Sequence, residues 1–290
     1  MSDTLKAALW MSGAIFSFTS MAIAGRAVSL ELDTFEIMMY RSFIGIIIVV
    51  SVATIAGTMQ EITSRNLGLH FIRNASHFAG QNLWFYAITA IPLAQVFALE
   101  FTSPIWAILL SPLILGERLR PIGLLAALIG FVGILIVARP SPETADIGQL
   151  AAATAAIGFA LSALFTRKLT RSETITCILF YLTIMQAALG LLFAGFDGDI
   201  ALPSLTSLPW VILISCAGLV AHYCLTTALR LAPAAVVMPI DFIRLPLIAV
   251  VGMTLYSEKL DIWVMLGALL IFAGNYLNIL IEVRRKSATG

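Results

Sequence analysis

Glu100 and Asp241 stand 141 residues apart, each deep inside a long apolar stretch, and Arg244 follows Asp241 by three positions. Ionisable groups in such surroundings are costly and face a cavity or a partner. Counting 1.5 Å per residue, each carboxylate lies about 12 Å into its stretch. Asp241 and Arg244 share one helix face. A guanidinium there can grip a carboxylate bidentately, while the acids can face an ammonium or take up a proton. With Arg41, the three can also simply neutralise one another between helices. Two histidines join them. His77 falls on a stripe with Asn74, Gln81 and Trp84, and His222 on one with Ser215, Leu219 and Thr226. An imidazole titrates near neutral pH, so either can carry a proton as well as donate a hydrogen bond. Trp10, Phe16, Trp84, Tyr86, Phe101, Trp106 and Tyr223 offer the walls of an aromatic chamber. The candidate binding set is His77, Gln81, Trp84, Glu100, Trp106, His222, Asp241 and Arg244.

These groups need elements to hold them. Of 290 residues, 60% are hydrophobic and 11% charged, and the net charge is +1. Soluble domains carry about 25% charged residues, so the chain is solvated by lipid, and its charge offers no surface for nucleic acid. Spans of about 20 residues cross a bilayer, and ten are legible: 5–24, 34–56, 69–90, 93–115, 121–138, 147–166, 174–196, 207–229, 234–256 and 262–283. Arg139 to Asp146 reads as a linker, giving halves 1–140 and 141–290. Sliding Leu83–Val137 by 141 positions finds twelve identities, among them Pro92 on Pro233, Phe101 on Phe242 and Gly133 on Gly274. Glu117-Arg118-Leu119 meets Glu258-Lys259-Leu260, two tight hairpins whose charges belong in the headgroups. Five spans per copy make the repeat inverted, a pattern of secondary transporters.

With the N-terminus in the cytoplasm, eleven lysines and arginines fall on the inner side and three on the outer, so both termini are cytoplasmic. Arg41, Arg73 and Arg244 are left within spans. The expected fold is an all-α polytopic membrane protein, ten transmembrane helices in two inverted five-helix repeats. Lys6, an apolar run and Ala22-Ile23-Ala24 loosely imitate a signal peptide, but cleavage there would destroy the repeat. Cys177, Cys216 and Cys224 lie in apolar spans and suggest packing, not a disulfide or metal site. Gly13, Ala14, Ala156 and Gly158 allow close helix approach.

An intramembrane enzyme would need a zinc-binding helix or a Ser–His pair. No such zinc motif occurs and there are only three histidines, His70, His77 and His222, while Gly195-Phe196-Asp197-Gly198-Asp199 sits in an outer loop with the wrong spacing for an aspartyl site. A channel wants a continuous polar pore, for which polar groups are too sparse.

The sequence resembles the ten-helix, EamA-type exporter branch of the drug/metabolite transporter superfamily over essentially its whole length. The resemblance is carried by Tyr40-Arg41-Ser42-Phe43, Leu83-Trp84-Phe85-Tyr86-Ala87-Ile88, Pro92-Leu93-Ala94 and Leu115-Gly116-Glu117-Arg118-Leu119. Ala232-Pro233-Ala234 and Tyr256-Ser257-Glu258-Lys259-Leu260 echo them, although the second half lacks the span-two arginine. The resemblance implies a central cavity formed by spans one, three, four, six, eight and nine, with five and ten peripheral or at a homodimer contact. It also implies a bacterial inner-membrane carrier, since family members move amino acids, purines, riboflavin, S-adenosylmethionine or drugs, mostly outward. The expectation is therefore an exporter of a small amphipathic metabolite by alternating access, with no cofactor or metal. Amino acids or related zwitterions come first as cargo, cofactor-type solutes second, and proton coupling is one way to drive it.

Overall fold

A computed structural model describes residues 3–116, 121–139, 146–196, 198–259 and 261–289. Glu117 to Arg120, most of the expected linker and Asp197 lie outside the described residues. The described residues are helical, with no strand among them: α1 (Asp3–Val28), α2 (Thr34–Ile55), α3 (Leu67–Ala90), α4 (Leu93–Glu100), α5 (Ser103–Leu115), α6 (Pro121–Ala138), α7 (Ile147–Leu169), α8 (Ile175–Ala194), α9 (Leu208–Leu231), α10 (Ala234–Val237), α11 (Arg244–Tyr256) and α12 (Ile262–Thr289). Local signals set these ends. Asp33 caps α2 in a reciprocal capping box, accepting from the Glu36 amide while Glu36 accepts from its own, both at 2.8 Å. Thr174 caps α8 by accepting from the Cys177 amide at 3.2 Å.

Six stretches are long and apolar enough to cross a membrane: Asp3–Val28, Thr34–Ile55, Leu93–Leu115, Ile147–Leu169, Ile175–Ala194 and Leu208–Leu231. α3 falls outside that set for a physical reason. His70, Arg73, Asn74, His77, Gln81 and Asn82 all lie on its buried side, so its polarity is spent inside the protein. Side chains such as Phe16, Ile47, Leu113 and Leu192 point outward, an apolar girdle suited to lipid.

The stretches expected as single spans at 93–115 and 234–256 are both interrupted. α4 gives way to α5 at Phe101-Thr102, where Pro104 cannot supply an amide to the Glu100 carbonyl. The Ser103 hydroxyl donates to that carbonyl instead, at 2.5 Å. α10 passes through a 3₁₀ segment, Met238–Ile243, into α11. Element ends recur at the 141-residue offset: α9 starts and stops 141 after α3, and α11 does so after α5. The residues closing α5 and α11, Gly116 (φ 71) and Ser257 (φ 54), both take left-handed backbone and are offset equivalents.

Packing follows an exchange pattern. α1 lies mainly on α9 and α7 on α3, while α2 pairs with α8 and α6 with α12. The α3–α7 crossing is close because Gly80 and Gly158 meet there. A Cβ on Gly158 would sit 2.8 Å from the Ser76 carbonyl oxygen and the Gly80 Cα. At one end of the bundle, Glu258 ion-pairs with Arg26 and accepts from the Leu93 amide at 3.0 Å, tying α1, α4 and the end of α11 together. Its carboxylate is thus half-buried among helices and not placed simply among headgroups. The equivalent position to Arg26 is Arg167, which donates to the Leu229 carbonyl at 2.5 Å, joining α7 and α9 at the opposite end.

Near that opposite end, the loop before α8 buries Glu173. His70, Glu173 and Cys177 bring their polar atoms within 4.8 Å of one another, so Cys177 does more than fill space. Burial works against the Glu173 charge, yet hydrogen bonds from Asn66, Thr63 and Cys177, with the Arg65 guanidinium, outweigh it and hold the carboxyl below its ordinary value of 4.5. A carboxyl lowered by folding stabilises the fold fully above its unfolded value and loses that contribution as pH falls through the folded one. Glu173→Gln should therefore melt earlier than the parent chain at neutral pH, and the gap should narrow once pH drops below 4.5. Thermal unfolding of both proteins across pH in one detergent checks this, and a constant gap would refute it.

Candidate functional site

The broken helices meet inside the bundle. Arg244, opening α11, is 2% exposed and donates to Glu100 Oε1 at 2.7 Å, and it ion-pairs with Asp241 on its own turn. The Trp84 indole N–H donates to the other Glu100 oxygen at 2.7 Å. The guanidinium lies over Phe97 and Phe18, 4.7 and 5.0 Å from their ring centroids, so aromatic faces as well as carboxylates hold the charge. Two carboxylates thus meet one guanidinium inside a largely apolar bundle.

These groups form part of the wall of a cavity enclosing about 890 Å³, its mouth included. α3 contributes Arg73, His77, Gln81 and Trp84 at helical spacing, α1 contributes Met11, Phe18 and Met21, and α7 contributes Phe159, Ser162, Ala163 and Thr166. α9 adds His222, Leu225 and Thr226, and the helix breaks add Glu100, Phe101, Ser103, Pro104, Asp241 and Arg244. His77 and His222 meet edge to face with ring centroids 4.6 Å apart. Their Nε2 atoms and the Gln81 side-chain oxygen have no hydrogen-bond partner among the described residues. Unsatisfied buried polar atoms of this kind await a ligand or water.

Seven of the eight candidates from sequence lie in this wall. Trp106 does not: its ring packs edge-on against Phe131 of α6 at 5.2 Å, because the break after Glu100 shifts the helical phase. The wider aromatic chamber also contracts. Trp84 and Phe101 line the cavity, whereas Phe16, Tyr86 and Tyr223 are 67%, 43% and 43% exposed, and Trp10 joins Tyr223 on the outside. Arg41 takes no part in the Glu100–Asp241–Arg244 cluster. Its guanidinium sits against Gly218, behind Met21. Asn74 turns from the cavity toward α8, donating to the Tyr181 carbonyl at 3.3 Å. Arg73, Ser162 and Thr166 were not among the candidates.

A family model described as the EamA-like transporter family matches residues 5–139 and again 146–280. The chain belongs to this family. EamA members are transporters, so this is a multi-pass membrane transporter and not an enzyme. The chain is similar to the riboflavin transporter of Brucella anthropi, 32% identical over 74% of this chain and 78% of the other. It is also similar to the riboflavin transporter of Rhizobium johnstonii, 34% identical over 75% and 72%. An S-adenosylmethionine uptake transporter of Rickettsia bellii is 23% identical over 90% of this chain and 89% of its own. One solved crystal structure, 18% identical, superposes with a TM-score of 0.71 over 96% of this EamA chain and 98% of that one, which shows a shared fold.

Proposed function

We propose that this protein carries a cofactor-type solute across the inner membrane of a bacterium by alternating access. In this reading two five-helix halves, 1–140 and 141–290, lie in opposite membrane orientations with both termini cytoplasmic, making ten crossings. The observation that carries it is the pairing of cavity residues across the halves. Phe18 and Phe159, Met21 and Ser162, Gln81 and His222, Trp84 and Leu225, Glu100 and Asp241, and Ser103 and Arg244 are each 141 positions apart, and all twelve line the cavity. The helix exchange, α1 on α9 against α7 on α3, is what an in-plane two-fold axis would generate and supports inversion. The lysine and arginine distribution supports the orientation.

The names of the relatives favour a cofactor such as riboflavin or S-adenosylmethionine over the amino acids expected from sequence. The word uptake in the Rickettsia name favours import over export. Phe18, Trp84, Phe101 and Phe159 suit a flat ring. His77, Gln81 and His222 supply hydrogen bonds, and Arg244 keeps Glu100 and Asp241 in place. With two carboxylates to one guanidinium, a proton or a cationic group of the solute completes the charge balance. Radiolabelled riboflavin, S-adenosylmethionine and tryptophan offered to proteoliposomes, with and without a pH gradient, test the reading. Saturable uptake of a cofactor is expected. Saturable uptake of tryptophan alone would overturn the cargo, and ohmic current without saturation would overturn the carrier.

A further inference from the structure

The cavity wall is only partly symmetric. Beyond the six pairs, and Phe101 and Pro104 at the helix break, it includes Met11, Arg73, His77, Ala163, Thr166 and Thr226, whose offset equivalents are Ala152, Ile214, Gly218, Ala22, Gly25 and Phe85. None of those six equivalents is in the wall. These six residues lie toward one end of the bundle, where α1 and α3 begin and α7 and α9 finish. The cavity therefore extends from mid-depth toward that end, and its chemistry there has no copy at the other.

The cavity wall at that end holds a buried guanidinium and no carboxylate. Arg73 is 1% exposed. Its Nε donates to Thr166 Oγ1 at 3.1 Å and one terminal nitrogen to Asn74 Oδ1 at 2.8 Å. Among the described residues its second terminal nitrogen, Nη2, has no partner, and no carboxylate lies within ion-pairing distance. Arg244, equally buried, has two carboxylates, so the fold can neutralise a guanidinium and has not done so here. Arg41 is likewise without a carboxylate among the described residues. One turn along α3 from Arg73, His77 and its neighbour His222 leave two ring nitrogens without partners. A buried cation persists when something pairs with it, and a fork of N–H donors beside imidazole nitrogens matches planar or tetrahedral oxyanions.

We infer that this end of the cavity is a subsite for an anionic group of the transported solute, a carboxylate or phosphoryl group, with Arg73 as its principal ligand. Resting on the transporter reading above, the inference narrows the cargo. The solute carries its anion at Arg73 and its ring among the aromatics. Any cationic group faces Glu100 and Asp241, about 16 Å away measured along α3 from Arg73 to Trp84. Because Ile214 and Gly218 replace Arg73 and His77 in the other half, the anionic grip exists at one end of the path only. The solute is therefore held more tightly from that side.

Matched probes test this on the full chain in lipid nanodiscs, read by thermal unfolding. S-adenosylmethionine is compared with its decarboxylated form, and flavin mononucleotide with riboflavin. In at least one pair the member that carries the carboxylate or phosphoryl group should stabilise at a concentration at least tenfold lower than the member that lacks it. Arg73→Gln should erase the difference, Arg73→Lys should keep part of it, and the exposed control Lys168→Gln should keep all of it. If Arg73→Gln fails to fold, the comparison within each pair on the parent chain decides alone. Equal potency within every pair that binds overturns the subsite. If both pairs are silent, the cofactor reading fails by itself, and inorganic phosphate and acetate then judge the subsite. Stabilisation by either that Arg73 variants lose supports it, and no effect of either on the parent chain overturns it.

Discussion

Arg244→Gln is expected to abolish transport and to destabilise the protein by about 3–5 kcal/mol, the cost of leaving one side of a buried ion pair without its partner. Arg244 holds Glu100 of α4 against Asp241 of its own turn. Removing the guanidinium leaves two carboxylates facing each other in a site walled by Phe18, Phe97 and Trp84. A compensated variant separates the two losses. Arg244→Leu combined with Glu100→Gln and Asp241→Asn carries no net charge into the site, so most of the stability should return while transport stays absent. Thermal unfolding in detergent and proteoliposome uptake measure the two quantities. Full transport by Arg244→Gln would remove the cluster from the mechanism.

Glu258→Gln is expected to release one end of the path. Its carboxylate pairs with Arg26 and accepts from the first amide of α4, while Arg26 stacks over Tyr256 at 4.5 Å and donates to the Ile91 carbonyl at 3.3 Å. Hydrogen bonds to charged groups contribute about 1.5–3 kcal/mol, so their loss should favour opening at that end by about 10- to 100-fold. Ala22, fully buried on α1, is the offset equivalent of cavity residue Ala163. A cysteine there, in a chain whose three native cysteines are alanine, should resist a water-soluble thiol reagent until Glu258 is changed. Labelling that is the same with and without Glu258 would show that the carboxylate closes nothing.

Much of this was legible in the sequence because a membrane makes polar residues conspicuous. Glu100, Asp241, Arg244, His77 and His222 stood out against apolar surroundings, and the cavity wall includes all five. The misses have separate causes. Trp106 would share the cavity face on one continuous helix through 93–115, and the turn of phase at Phe101-Thr102 sends it to α6. Arg73 is a visible charge within a span, but a stripe through Asn74 passes it by. The true face runs Arg73, His77, Gln81 and Trp84, at steps of four, four and three. Ser162 and Thr166 carry no signal of their own, since hydroxyls are ordinary in membrane helices where they bond back to the preceding turn, as Thr166 does to the Ser162 carbonyl at 2.7 Å. Aromatic residues were the least informative. The same ring serves a cavity or a lipid-facing surface, and only the helix's rotation, unknown from one sequence, separates Trp84 from Tyr86.

The exchange of partners between the halves has a consequence for biogenesis. α1 finds its main neighbour in α9, and Glu100 its guanidinium 144 residues later in the chain. Helices α1 to α6 leave the ribosome long before either arrives, so they cannot complete a packed unit on their own. Assembly must wait for the far end of the polypeptide, and a truncated product would offer quality-control proteases unsatisfied charge within the bilayer instead of a finished half.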